Sequence, residues 1–148
     1  MAEECIRSTL QLRTVLTSTT NIRVRYAETD QMGVVYYANY YVWMEVARVD
    51  FCDAVGIRYR TMEIEEGIFL AVTESSCRYV NPARYDETVT IETKLADASA
   101  RAVSFEYVMN CDGRRLATGR TRHIFLNREL RPTRLPEKYR ALFGIGTE

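Results

Sequence analysis

Histidine is nearly missing from this chain: His123 is the one imidazole in 148 residues. That count speaks against a zinc site built on histidines, and against chemistry that needs a His–Asp pair. The four cysteines, Cys5, Cys52, Cys77 and Cys111, are scattered, and no CxxC occurs. This spacing supports neither a metal cluster nor a disulfide framework, and it fits reduced thiols in a cytoplasmic protein. Charge of one sign is lacking too. Twenty basic side chains balance twenty acidic ones, so there is no global attraction toward nucleic acid or acidic membranes. No apolar run approaches the roughly eighteen residues of a membrane span. The N-terminal MAEECIRSTLQLRTVL has no basic-then-apolar leader pattern, and no internal repeat is visible. What remains is a chain 47% apolar, long enough for one domain around one core.

One stretch organises that domain, Val24 to Gly56. Ile22 to Tyr26 alternates apolar and polar, the period of a half-buried strand. Glu28-Thr29-Asp30-Gln31-Met32-Gly33 then breaks the alternation with an acidic turn. From about Ala38 to Val55 there is no Pro or Gly, and Tyr40, Trp43, Met44, Ala47, Phe51 and Val55 recur at three- and four-residue steps. This predicts a helix of about five turns. Few charges interrupt it, so it reads as a central helix surrounded by other elements. Glu45 and Arg48 are spaced to pair on its surface.

Downstream, Ile57 to Glu66 reads as one helical turn or a loop. Ile68 to Val80 reads as a long strand, and Thr88 to Leu95 as a strand with Val89, Ile91 and Leu95 on one face. A third carries Val103, Phe105, Tyr107 and Met109 on one face. Asp112-Gly113 turns it into a fourth, Leu116 to Leu126. A short helix is expected near Glu137 to Leu142. Short connections between consecutive strands predict an antiparallel sheet, and its apolar face needs the long helix as cover. Edge strands left over favour pairing with a second copy. Residues 1–20 form an extension that the sequence leaves open, 21–140 the domain, and 141–148 a tail.

Helix-in-sheet order combined with Arg25-Tyr26-x-x-Thr29-Asp30-x-x-Gly33-Val34-Val35-Tyr36-Tyr37-x-Asn39-Tyr40, Glu45-x-Ala47-Arg48, and Tyr79-x-x-Pro82-Ala83-x-Tyr85-Asp86 resembles the hot-dog fold. Within it, the chain is similar to acyl-CoA thioesterases of the 4-hydroxybenzoyl-CoA thioesterase and YbgC type. The Arg131-Pro132 and Leu135-Pro136 steps resemble the C-terminal pattern of that group. Many YbgC-type members carry His where Tyr37 stands; the Asp-type 4-hydroxybenzoyl-CoA thioesterases carry Tyr. The resemblance implies an α+β protein whose five or six antiparallel strands wrap one long helix.

Thioester hydrolysis needs a carboxylate, acting directly or on water, and a donor for the oxyanion. Asp30 precedes the helix, whose first amides lack intrahelical acceptors and carry partial positive charge. By position alone Asp30 could equally cap the turn. The resemblance implies Asp30 as nucleophile or general base and the Tyr37 backbone N–H as polariser of the carbonyl. It also suggests Arg101 at the coenzyme A phosphates, with Arg78, Arg84, Arg131 and Arg134 as lesser candidates. Near the same turn, Gly33 gives the backbone room beside the ligand or is a plain loop glycine, and Asn39 hydrogen-bonds the loop around Asp30 or helps start the helix. Of Tyr36, Tyr37, Tyr40 and Trp43, most read as core and one or two as lining for an acyl pocket. Glu28 reads as an exposed strand end, and Glu45 is the second candidate carboxylate. His123, Cys52 and Cys77 read as structural. No metal or organic cofactor is expected, since coenzyme A enters as part of the substrate. A homodimer or homotetramer is expected, without nucleic-acid partners. The rival readings are a thioesterase acting on acyl groups held by a carrier protein, and a hot-dog protein that binds acyl-CoA without cleaving it.

Overall fold

The computed structural model describes residues 16–146; whatever the sequence leaves open over residues 1–15 lies outside the described residues. Five strands form one sheet: β1 (Thr17–Arg23), β2 (Phe69–Tyr79), β3 (Thr88–Ala98), β4 (Ala102–Cys111) and β5 (Arg114–Leu126). Their order is β1-β3-β4-β5-β2, antiparallel throughout. The helices are α1 (Asn39–Ala54), α2 (Tyr59–Glu66) and α3 (Glu137–Leu142). This is the hot-dog arrangement, with α1 lying across the sheet.

The sheet curls because its strands are interrupted. Register shifts fall between Val72 and Glu74, Leu95 and Asp97, and Met109 and Asn110. An extra residue on one strand of a pair bends that strand and increases its twist. The hollow so formed takes the buried face of α1: Tyr40, Trp43, Met44, Ala47, Phe51 and Cys52. Opposite them stand Val103, Phe105, Tyr107 and Met109 of central β4, all buried. Met44 of α1 lies over Gly119 of β5; a Cβ there would overlap the Met44 thioether.

Several expectations need correction. The first strand ends at Arg23, and Tyr26–Glu28 forms a 3-10 turn. Its start at Thr17 draws part of the N-terminal extension into the sheet. Residues 59–66 make a helix of eight residues rather than a loop. Helix α1 is covered on one side within the chain, since Tyr41, Val42 and Val46 of its other face are exposed. Arg48 does not pair with Glu45. It is buried and donates to the hydroxyls of Tyr59 (3.1 Å) and Tyr107 (3.2 Å). The line continues from Tyr107 to Thr121 Oγ1 (2.7 Å) and from there to His123 Nε2 (2.8 Å). Burial and the nearby Arg48 charge push the His123 pKa down to about 3, so the ring is neutral and structural, as expected.

Candidate active site

The site begins with a tight loop. Thr29 bridges Val35, the Asp30 amide donates to Val34 O (2.9 Å) and the Gly33 amide to Asp30 O (3.0 Å). Gly33 sits at φ +77° with open space around it, a conformation glycine adopts without steric cost. Asp30 is half-buried at the head of this loop. Its Oδ1 accepts the Met32 amide at 2.8 Å, so the turn-capping role is real. Among the described residues its second oxygen accepts nothing, leaving one carboxylate oxygen for chemistry.

The loop is held from beneath by Glu28. This carboxylate is 3% exposed, which overturns its reading as an exposed strand end. It accepts Trp43 Nε1 at 2.7 Å and the Arg25 amide at 2.8 Å, and it pairs with the Arg25 guanidinium. Its own carbonyl accepts the Tyr36 amide and Asn39 Nδ2, both at 2.9 Å. Burial alone would raise the Glu28 pKa; the bonds from Arg25 and Trp43 outweigh it and hold the carboxyl below its ordinary range. Nothing local in the sequence marks this role, because Trp43 stands fifteen positions away.

Helix α1 opens without a side-chain cap. The amides of Asn39, Tyr40 and Tyr41 turn back onto Tyr36, Tyr37 and Ala38. Among the described residues, those of Tyr37 and Ala38 donate to no protein acceptor. Such amides at a helix start are suited to gripping an oxyanion. Tyr37 and Asp30 line one cleft of about 300 Å³, with Val34, Tyr40, Tyr79 and Pro82 among its walls. The structure thus brings together the two residues the sequence nominated for catalysis.

The other nominated residues divide. Tyr40 is a wall of the cleft, 3% exposed, with its hydroxyl accepting the Ala83 amide at 3.4 Å. Asn39 braces the loop through Glu28 rather than lining the cleft. Gly33 shapes the loop, and Tyr36 packs outside against Tyr37 with ring centres 4.7 Å apart. Arg101 is not at this cleft. It lines a larger cavity of about 530 Å³ with Arg134 and Arg140. That cavity is lined by three arginines and by none of the nominated catalytic groups. Arg140, which the sequence reading missed, is tethered there by its bond to Leu135 O. Tyr79 was also missed: its hydroxyl donates to Tyr37 O at 2.9 Å. Glu45 is exposed on α1 and lines neither cavity.

Comparison with known proteins agrees with this geometry. The family model described as the thioesterase-like superfamily matches residues 24–143. YneP of Bacillus subtilis (strain 168), provisionally named an acyl-CoA thioesterase, is 38% identical over 73% of this chain and 78% of its own. Among solved structures, a hypothetical protein TT1821 from Thermus thermophilus is 46% identical with a TM-score of 0.81, covering 84% of this chain and 96% of that one. A DHNA-CoA thioesterase from Staphylococcus aureus is 33% identical with a TM-score of 0.83, covering 86% and 88%.

Proposed function

The chain belongs to the thioesterase-like superfamily, and from that premise we propose that it hydrolyses an acyl-CoA thioester to the free acid and coenzyme A. One observation carries the reading: Asp30 and Tyr37 line one largely apolar cleft at the uncapped start of α1. The thioester carbonyl enters with its oxygen toward the Tyr37 amide. Asp30 attacks the carbonyl carbon or takes a proton from the water that does. Negative charge develops on the carbonyl oxygen and is held by the helix-start amides, a contribution worth ~2.7–4 kcal/mol for one such donor. The C–S bond then breaks, and the coenzyme A thiolate leaves and takes up a proton; where Asp30 itself has attacked, water then hydrolyses the acyl–aspartyl anhydride, which frees the acid and restores the carboxylate. The scheme calls on no bound metal or organic cofactor.

The cavity of Arg101, Arg134 and Arg140 suits the phosphates of coenzyme A. No residue of that cavity lines the Asp30 cleft. Among the described residues, nothing covers edge strand β2 or the exposed face of α1. Both features support a dimer or tetramer in which the complete site draws on more than one copy. The free thiols of Cys52, Cys77 and Cys111 favour a reducing compartment such as the cytoplasm. Tyr37, Tyr40 and Tyr79 favour a compact aromatic acyl group, which can make edge and face contacts with their rings.

The test is thiol release from a panel of short, long and aromatic acyl-CoAs, with acyl groups on a carrier protein as a further arm. The expected result is cleavage of aromatic acyl-CoA that is abolished by Asp30→Ala. Cleavage confined to the carrier-protein arm would favour the rival substrate. Tight binding of acyl-CoA without thiol release would contradict the enzyme reading.

A further inference from the structure

Resting on the thioesterase reading, we propose that Tyr79 is a positioning residue for the hydrolysis: its hydroxyl, donating to Tyr37 O, pins the backbone of Tyr37 and so fixes how that residue, with its own amide, is presented to the cleft. The bond is 2.9 Å long and joins residues forty-two positions apart, from the end of edge strand β2 to the start of α1. The Tyr37 carbonyl has one other donor, the Tyr40 amide at 3.3 Å. The hydroxyl is thus the shorter of the two bonds that set this peptide's orientation.

Tyr79 is itself held firmly. It lies opposite Ala117 in the β2–β5 register, and the amides of the next two residues, Val80 and Asn81, both donate to Leu116 O (2.8 and 3.1 Å). Its ring meets Tyr40 edge-on, with centres 5.0 Å apart and planes at 89°, and Tyr37 edge-on at 6.4 Å and 84°. Tyr40 is buried, so it acts as a fixed backstop.

Burial, with Cys77 beside it, raises the Tyr79 pKa, so the hydroxyl keeps its proton across the working pH range.

Tyr79→Phe keeps the ring and removes only this donor. Steady-state thiol release on the best acyl-CoA of the panel, thermal melting, and the Ala38 amide signal in a ¹⁵N–¹H spectrum are measured beside wild type and Asp30→Asn. The expected result is kcat lower by about tenfold, the size of one intramolecular hydrogen bond. KM is expected to stay within about twofold, with Tm lower by a few degrees at most and the Ala38 signal displaced. Tyr79→Leu, which also removes the ring, should raise KM in addition. A Tyr79→Phe enzyme with kcat within about twofold of wild type, while Asp30→Asn is inactive, overturns the positioning role and leaves the thioesterase reading standing. A wild type that releases no thiol from any acyl-CoA overturns both.

Discussion

Glu28 and Asp30 stand two residues apart on one loop, and the structure gives them opposite lives. Glu28 is buried, and both its oxygens are engaged by Trp43 and Arg25. Asp30 is half-buried, and one of its oxygens is held by the Met32 amide. A carboxylate whose acceptor capacity is filled by protein is part of the scaffold, because any change in it leaves buried donors unpaired. A carboxylate with a spare oxygen facing a cleft can act on something that enters. The difference lies in how many partners each has already taken, and it separates structure from chemistry over a distance of two residues.

That contrast can be broken in four places. The largest expected effect is Asp30→Asn, which should lower kcat by about a hundredfold or more while Tm stays within a degree or two of wild type. Wild-type-like kcat would move the chemistry elsewhere. Next is Glu28→Ala, which strands the Trp43 and Arg25 donors. It should cost about 1.5–3 kcal/mol in denaturant unfolding and leave measurable thiol release at temperatures where the variant is folded. Inactivity without loss of stability would reverse the two roles.

A third, smaller effect concerns pH. The folded Glu28 pKa lies below its ordinary value of 4.5. Its contribution to stability is therefore complete above pH 4.5 and is lost as pH falls through the folded value. Unfolding free energies of wild type and Glu28→Gln measured from pH 6 down to pH 3 should converge at the acid end. Parallel curves would show that Glu28 is not the group responsible. The smallest effect is at Glu45, exposed on α1 away from the cleft. Glu45→Gln should leave kcat and KM within about twofold of wild type, and a loss comparable to that of Asp30→Asn would make Glu45 the working carboxylate.

The same contrast explains what could be read from the chain. Helix α1 was legible because its apolar spacing is long and uninterrupted. That Asp30 and Tyr37 share one cleft was legible because both belong to one contiguous string beside the helix start. β1 was misplaced for a physical reason. Its residues, TSTTNIR, are mostly polar, and Thr20 is the one buried among them, so apolar alternation is weak where the strand lies. The apolar-looking continuation to Tyr26 is instead drawn into a 3-10 turn by Glu28 reaching back to the Arg25 amide. Glu28 and Arg48 were assigned other roles, and Tyr79 no role beyond its place in a signature, because their partners are distant in sequence: Trp43, Tyr107 and the Tyr37 carbonyl. Such pairings are created by the curl of the sheet around α1 and leave no local pattern. Arg101 was placed at the substrate by resemblance, yet it lines a cavity apart from the cleft. A single chain brings Asp30 and Tyr37 to one cleft and Arg101 to another.

The most direct measurement is calorimetric titration of Asp30→Asn with an acyl-CoA that wild type cleaves, followed by chromatography of the recovered ligand. If the spare oxygen of Asp30 carries the chemistry, the thioester binds and is recovered intact. Recovery of free acid and coenzyme A at the wild-type rate would show that the bond is broken by some other group.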